Sequence, residues 1–149
     1  MAEARNEQAR RSRDASRKIR VPINSESDIV AARQQGRALA EQAGFKRSSE
    51  LAAIATAISE LTRNIVEYAA LPGEINLRQV QRLGKTGIEV IARDAGPGIP
   101  DVGQAMTDGF STGGGLGLGL PGVTRLMDDF EIESRVGKGT TVTARKWVP

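Results

Sequence analysis

Three groups of residues in this sequence have the types and spacing to do chemistry. Thr56, Glu60, Asn64 and Glu67 recur at steps of four, four and three, which on a helix makes a single polar column. Within it Glu60 and Asn64, one turn apart, present a carboxylate and an amide oxygen to the same point. That pair suits a general base beside a hard, oxygen-ligated cation such as Mg²⁺. The same spacing also describes the solvated face of an amphipathic helix, the commoner outcome for a polar column taken alone. The second group, Asp94-Ala95-Gly96-Pro97-Gly98, follows a run rich in β-branched residues. Gly96 and Gly98 allow the backbone to approach a flat ligand closely, and ionised Asp94, an acceptor only, matches a donor such as the exocyclic amine of adenine. An ordinary strand-end turn accounts for these five residues equally well.

The third group is Ser111, Thr112, Gly113, Gly114, Gly115, Leu116, Gly117, Leu118 and Gly119, with Leu120 and then Pro121 after it. Proline suits the first turn of a helix. Free backbone N–H groups at a helix N-terminus, together with the helix dipole, stabilise a phosphate. The flexibility of such a loop also suits a lid. A glycine-rich linker is the alternative, weakened by the interleaved leucines and the helix that follows. Gly117 to Gly122 satisfies the dinucleotide pattern GxGxxG, but it follows a loop rather than a strand, and the 27 residues after it are too few to complete a doubly wound sheet. A Walker loop is excluded because Leu120-Pro121 stands where Lys-Ser/Thr is required. The chain has no cysteine and no histidine, which excludes thiol catalysis, disulfide scaffolds, serine–histidine hydrolysis and an internal phosphohistidine.

The elements that must position these residues can be read from patterning. Lys18 to Ile23 is a strand candidate, and Ser25 with Asp28 resembles a capping box opening a helix to Ala43, stopped by Gly44. Ser48 or Ser49 caps a second helix reaching Tyr68, with Leu51, Ile54, Ile58, Leu61, Ile65 and Tyr68 as its apolar stripe. Two β-rich runs, Glu74 to Leu83 and Ile88 to Asp94, are joined by a turn at Gly84 to Gly87. A third helix is expected from Pro121 to Asp129, then a final hairpin of Phe130 to Ser134 and Thr140 to Trp147 about a turn at Val136 to Gly139. Helices gathered before and between hairpins predict an α+β two-layer sandwich, with a mostly antiparallel sheet and helices on one face.

At 149 residues the chain is sized for one domain. Its net charge of +3 is uneven: residues 1–20 hold seven Lys/Arg against three Asp/Glu, leaving 14 against 15 in residues 21–149. This divides it into a basic, flexible tail (1–20) and a near-neutral body (21–149), which by charge is not a nucleic-acid binder. No membrane span or signal peptide is apparent, so the expectation is a cytoplasmic protein without membrane contact.

Taken in order, Glu60-x-x-x-Asn64, Asp94-x-Gly96-x-Gly98, Gly115-x-Gly117-x-Gly119 and Gly139-Thr140 resemble the signature of the GHKL ATPases, the gyrase, Hsp90, histidine-kinase and MutL superfamily. The segments around them, with the closing Lys146-Trp147, resemble the RsbT type of serine/threonine switch kinase of bacterial stressosomes, relatives of anti-sigma-factor kinases. This resemblance implies the Bergerat ATP-binding fold, with Glu60 as general base, Asn64 as the protein's ligand to Mg²⁺, and Asp94 on the adenine amine with Gly98 allowing close approach. It implies Ser111 to Gly119 as lid and phosphate cradle, and Thr140 near the adenine end. It also implies ATP and Mg²⁺ as cofactors, STAS-domain scaffold proteins as phosphoacceptors, and a downstream output regulator, a phosphatase or other enzyme, as second partner. A binding-only switch of the anti-sigma-factor type, in which nucleotide sets conformation without physiological kinase activity, stays open beside it. The gyrase, Hsp90 and MutL machines need a transducer domain that 149 residues cannot hold.

Overall fold

The computed structural model of the chain describes residues 18–68, 72–106 and 119–149. Among the described residues five strands, β1 (Lys18–Ile23), β2 (Gly73–Arg82), β3 (Lys85–Asp94), β4 (Asp129–Arg135) and β5 (Gly139–Trp147), form one sheet in the order β1-β2-β3-β5-β4. Every neighbouring pair is antiparallel. The helices are α1 (Asp28–Ala43), α2 (Ser48–Tyr68), α3 (Val102–Ala105) and α4 (Gly119–Leu126).

Alternation along the strands sets the layers. Ile23, Ile75, Leu77, Ile88, Val90 and Ala144 share one buried core with Leu39, Ile54, Ile58, Leu61 and Val123 of the helices. The helices therefore cover one face of the sheet, the expected α+β sandwich. Intervening residues point to the other face, where Arg78, Glu89 and Arg145 stand side by side on three adjacent strands. Glu89 is only 1% exposed, and accepts from Arg78 Nε at 2.5 Å and from Arg145 Nε at 2.7 Å. Burial pushes its carboxyl up, but the hydrogen bonds and charges of both arginines outweigh this and hold it below the ordinary value.

Local signals explain the element ends, with four departures from the sequence reading. At the start of α1, Asp28 Oδ2 accepts the N–H groups of Asn24 (2.8 Å) and Ser25 (3.1 Å), half of the expected capping box. Ser25 answers with its carbonyl rather than its hydroxyl. The β2–β3 turn is Leu83-Gly84, with φ of 50° and 79°, as a two-residue type I′ turn requires; Lys85, Thr86 and Gly87 already pair with β2. Helix α4 begins at Gly119 and stops at Leu126, not Asp129. Pro121 sits in its first turn, where no intrahelical N–H bond is needed. Asp128 and Asp129 are claimed by β5 instead, their carboxylates accepting the Trp147 backbone N–H (2.8 Å) and indole Nε1 (3.0 Å). Lys18, Ile19 and Arg20, grouped with the tail by charge, pair with β2, and Arg20 Nε meets Glu74 Oε2 at 2.8 Å. Residues 1–17 lie outside the described residues. No helix among the described residues is long and apolar enough to cross a membrane.

Candidate functional site

Leu51, Ile54, Ile58, Leu61 and Ile65 of α2 are buried, as their spacing predicts. Tyr68 is not; it is 44% exposed, because at the last residue of the helix a cavity rather than the sheet lies beside it. That cavity, of about 410 Å³, lies among α2, the end of β3, the loop after it, α3 and the start of α4 and β5. Its volume falls in the range of small-molecule sites, roughly 300–1,000 Å³.

Glu60, Asn64 and Glu67 line one wall of it. Of these, Glu60 is buried, Asn64 half-buried and Glu67 exposed, while Thr56, the fourth member of the column, does not reach the cavity. Glu60 is 7% exposed. Its Oε1 accepts from Arg63 Nη1 at 2.8 Å, and the N–H of Gly119, first residue of α4, stands 3.4 Å from Oε2.

The opposite wall is built by strand register. Asp94, last residue of β3, is the ladder partner of Thr140 on β5, so residues far apart in sequence share this end of the cavity. Asp94 Oδ1 accepts the Gly96 N–H at 2.9 Å, closing a tight turn. Gly96 is buried in that turn and does not line the cavity. Thr140 and Ser134 hydroxyls are 2.8 Å apart, and Ser134 Oγ accepts the Ile99 N–H at 2.7 Å. The close backbone approach at Gly98 is, in the structure, toward the protein's own β4–β5 turn: its φ is 78°, and a Cβ there would lie 2.3 Å from the Arg135 carbonyl oxygen. Gly139, with φ of 94°, would place a Cβ 2.0 Å from the Asp94 carbonyl oxygen. Both positions are therefore closed to any side chain. Ser111, Thr112, Gly113, Gly114, Gly115, Leu116, Gly117 and Leu118 lie outside the described residues; Gly119, the last of that group, lines the cavity.

The chemistry of the donor set fits ATP. Leu61, Ile65, Ala92, Ile99 and Val142 supply apolar walls for a purine, Asp94 supplies an acceptor, and Asn64 supplies an amide beside Glu60. The family described as Histidine kinase-like ATPase domain matches residues 22–146. The chain is 56% identical over 128 residues, 86% of its length and 95% of the relative's, to serine/threonine-protein kinase RsbT of Bacillus subtilis (strain 168). The chain belongs to the histidine kinase-like ATPase family, in its RsbT-type serine/threonine kinase branch. A kinase ATPase domain uses ATP, and Glu60, Asn64, Asp94 and Thr140 line this one cavity. The anti-sigma F factor of Caldanaerobacter subterraneus subsp. tengcongensis is 38% identical over 104 residues, 66% of this chain and 71% of that one. The crystal structure of the RsbU and RsbW domains of a Mycobacterium tuberculosis protein shares the fold, with a TM-score of 0.57 at 23% identity over 89% of this chain and 32% of that one.

Sequence reasoning passed over Arg63, Tyr68 and Asp101 as cavity residues. Arg63 carried a signal, standing three residues after Glu60 on the same helix face. Asp101 carried another, with Gln104 three residues on; in the structure Asp101 Oδ1 caps α3 through the Gln104 N–H at 2.9 Å.

Proposed function

We propose that this kinase transfers the γ-phosphoryl group of ATP to a serine or threonine of a STAS-domain scaffold protein. Freed from the scaffold, it then binds and activates a downstream regulator, a phosphatase or other enzyme, in a cytoplasmic stress-signalling partner switch. The observation that carries this reading is that Glu60, Asn64, Asp94 and Thr140 line a single cavity.

In this reading Glu60 takes the proton of the acceptor hydroxyl as its oxygen bonds to phosphorus, and Asp94 accepts from the adenine amine with Thr140 beside it. Asn64 gives Mg²⁺ one protein oxygen. Among the described residues four carboxylates, Glu60, Glu67, Asp94 and Asp101, line the cavity against one arginine, Arg63. A polyphosphate entering so acidic a site needs a cation to offset the repulsion, and Mg²⁺ typically takes one or two protein oxygens with substrate phosphates and water as the rest. Ser111 to Gly119 would cradle the phosphates and close over them. Phosphoryl transfer asks mainly for such positioning and charge stabilisation.

The similarity to the anti-sigma F factor favours a second reading, in which nucleotide only sets the conformation that captures a sigma factor or regulator. Incubation with γ-labelled ATP and the STAS-domain proteins of the same organism, followed by phosphopeptide mass spectrometry, separates the two. Phosphoserine or phosphothreonine on a STAS protein is expected. Tight ATP binding with no transferred phosphate would select the binding-only switch.

A further inference from the structure

We propose that Arg63 is the positioning residue for Glu60, holding its carboxylate so that one oxygen faces the acceptor hydroxyl; this rests on Glu60 being the base. Arg63 Nη1 grips Oε1 at 2.8 Å, while among the described residues Oε2 has only the 3.4 Å approach of the Gly119 N–H. A carboxylate 7% exposed and tied at one oxygen has its second oxygen's direction fixed. Oε2 is thus the atom with capacity left to take a proton. The hydroxyl O–H bond breaks, its oxygen bonds to phosphorus as the bond to ADP breaks, and the proton passes to Oε2.

Two features distinguish this from an incidental surface ion pair. Arg63 is the sole cation lining the cavity among the described residues, and on that acidic wall it pairs with Glu60. The pair is also local, at i and i+3 on one helix, so it is set by α2 itself and does not wait for any other element. A competing role, direct neutralisation of the nucleotide's phosphates, would use the same guanidinium but would show in ATP affinity rather than in turnover.

The test compares wild type, Arg63→Ala, Arg63→Lys, Glu60→Gln and the double variant, with the STAS-domain acceptor of the same organism, measuring kcat, KM for ATP and the calorimetric Kd of Mg·ATP. Thermal melts check folding, and Arg63→Lys keeps the charge should the alanine variant unfold. For Arg63→Ala we expect kcat to fall roughly 10- to 100-fold with Kd and KM within about threefold, since a loss confined to turnover marks an interaction used in the transition state. Lysine, a single flexible donor in place of the planar fork, should restore part of kcat. Glu60→Gln alone should lower kcat ~10²–10⁴-fold, and in that background Arg63→Ala should add less than about twofold, as for residues acting as a unit. A Kd weakened with kcat unchanged, or equal slowing by Arg63→Ala in both backgrounds, overturns the positioning role while leaving Glu60 as base. A wild-type rate in Glu60→Gln overturns the assignment of the base, and the role of Arg63 with it.

Discussion

Replacing Asp94 by asparagine tests its proposed role as the acceptor that selects adenine. Oδ1 of Asp94 is already committed to the Gly96 N–H at 2.9 Å, so one carboxylate oxygen is left for a ligand. Asparagine can keep the bond to Gly96 through its amide oxygen, which leaves the turn in place and presents Nδ2–H₂ to the base. Facing adenine, that puts donor against donor and removes a hydrogen bond to a charged acceptor worth about 1.5–3 kcal/mol. ATP affinity should fall roughly 10- to 150-fold. Facing guanine the change runs the other way, because a carbonyl that met a carboxylate in the wild type now meets an amide donor, so GTP affinity should rise. The ratio of ATP to GTP affinity should therefore shrink by more than the loss in ATP binding alone. Isothermal titration calorimetry of both nucleotides with Mg²⁺, on both proteins, measures the four constants. An unchanged melting temperature would show that the bond to Gly96 survives. Equal ATP and GTP affinities in the wild type, or an unaltered ratio in the variant, would refute Asp94 as the adenine acceptor.

Asn64→Ala should raise the Mg²⁺ concentration giving half-maximal ATP binding by roughly tenfold or more, since even outer-shell ligand partners carry factors of that size; a metal titration that does not move would take Asn64 out of the metal's shell. Glu89→Gln should destabilise the fold at pH 7 by roughly 2–3 kcal/mol, below the ~3–5 for breaking a fully buried pair because the Arg78 side chain is 46% exposed. The folded-state pKa of Glu89 lies below its ordinary 4.5, so its contribution is complete above that value and disappears as pH falls through the folded-state value. Denaturant unfolding across pH should show the two proteins converging in acid, and a constant gap would remove the charge from the explanation. A chain begun at Val21 should melt several degrees below one begun at Lys18, because it lacks the β1 pairs Lys18–Arg78, Ile19–Leu77 and Arg20–Asn76 and the Arg20–Glu74 bridge; identical melting curves would mean that this half of the edge strand adds no stability.

What was legible in the sequence was mostly what short spacing encodes. The α2 stripe from Leu51 to Ile65 and the column Glu60, Asn64 and Glu67 follow from the helical period, and the antiparallel sheet follows from hairpins with short turns. Tyr68 fits the period but not the burial, since periodicity cannot say where the sheet beneath a helix ends. The end of α4 was misplaced because Asp128 and Asp129 bind Trp147, a partner of high sequence separation. Arg78, Glu89 and Arg145 gave no signal at all: each looks like a solvated charge on a strand, and only the pairing of β2, β3 and β5 brings them together. Gly98 was legible as a glycine that something approaches closely. That the approaching group is the Arg135 carbonyl depends on where the β4–β5 turn lies.

The two walls of the cavity differ in how they are held, and this bears on where control can enter. Asp94 and Thr140 sit on a ladder whose neighbours, Gly98 and Gly139, leave no room for even a methyl group, with Gly137 N–H on the Pro97 carbonyl at 2.8 Å and Ile99 N–H on Ser134. Backbone packed this closely has little room to rearrange, so the end of the cavity proposed for adenine is set before any ligand arrives. Glu60 is held differently, by a partly exposed arginine and by the first amide of a helix at the long distance of 3.4 Å. A modest shift of α4 along its axis would bring Gly119 to, or remove it from, ordinary hydrogen-bond distance without disturbing the Asp94–Thr140 wall. In the proposed function, recognition of the nucleotide by Asp94 and readiness of Glu60 as base therefore rest on different parts of the fold. Under those roles, a partner protein that touches α4 is expected to alter turnover while leaving ATP affinity as it was, which kcat and calorimetric Kd measured with and without the partner would check.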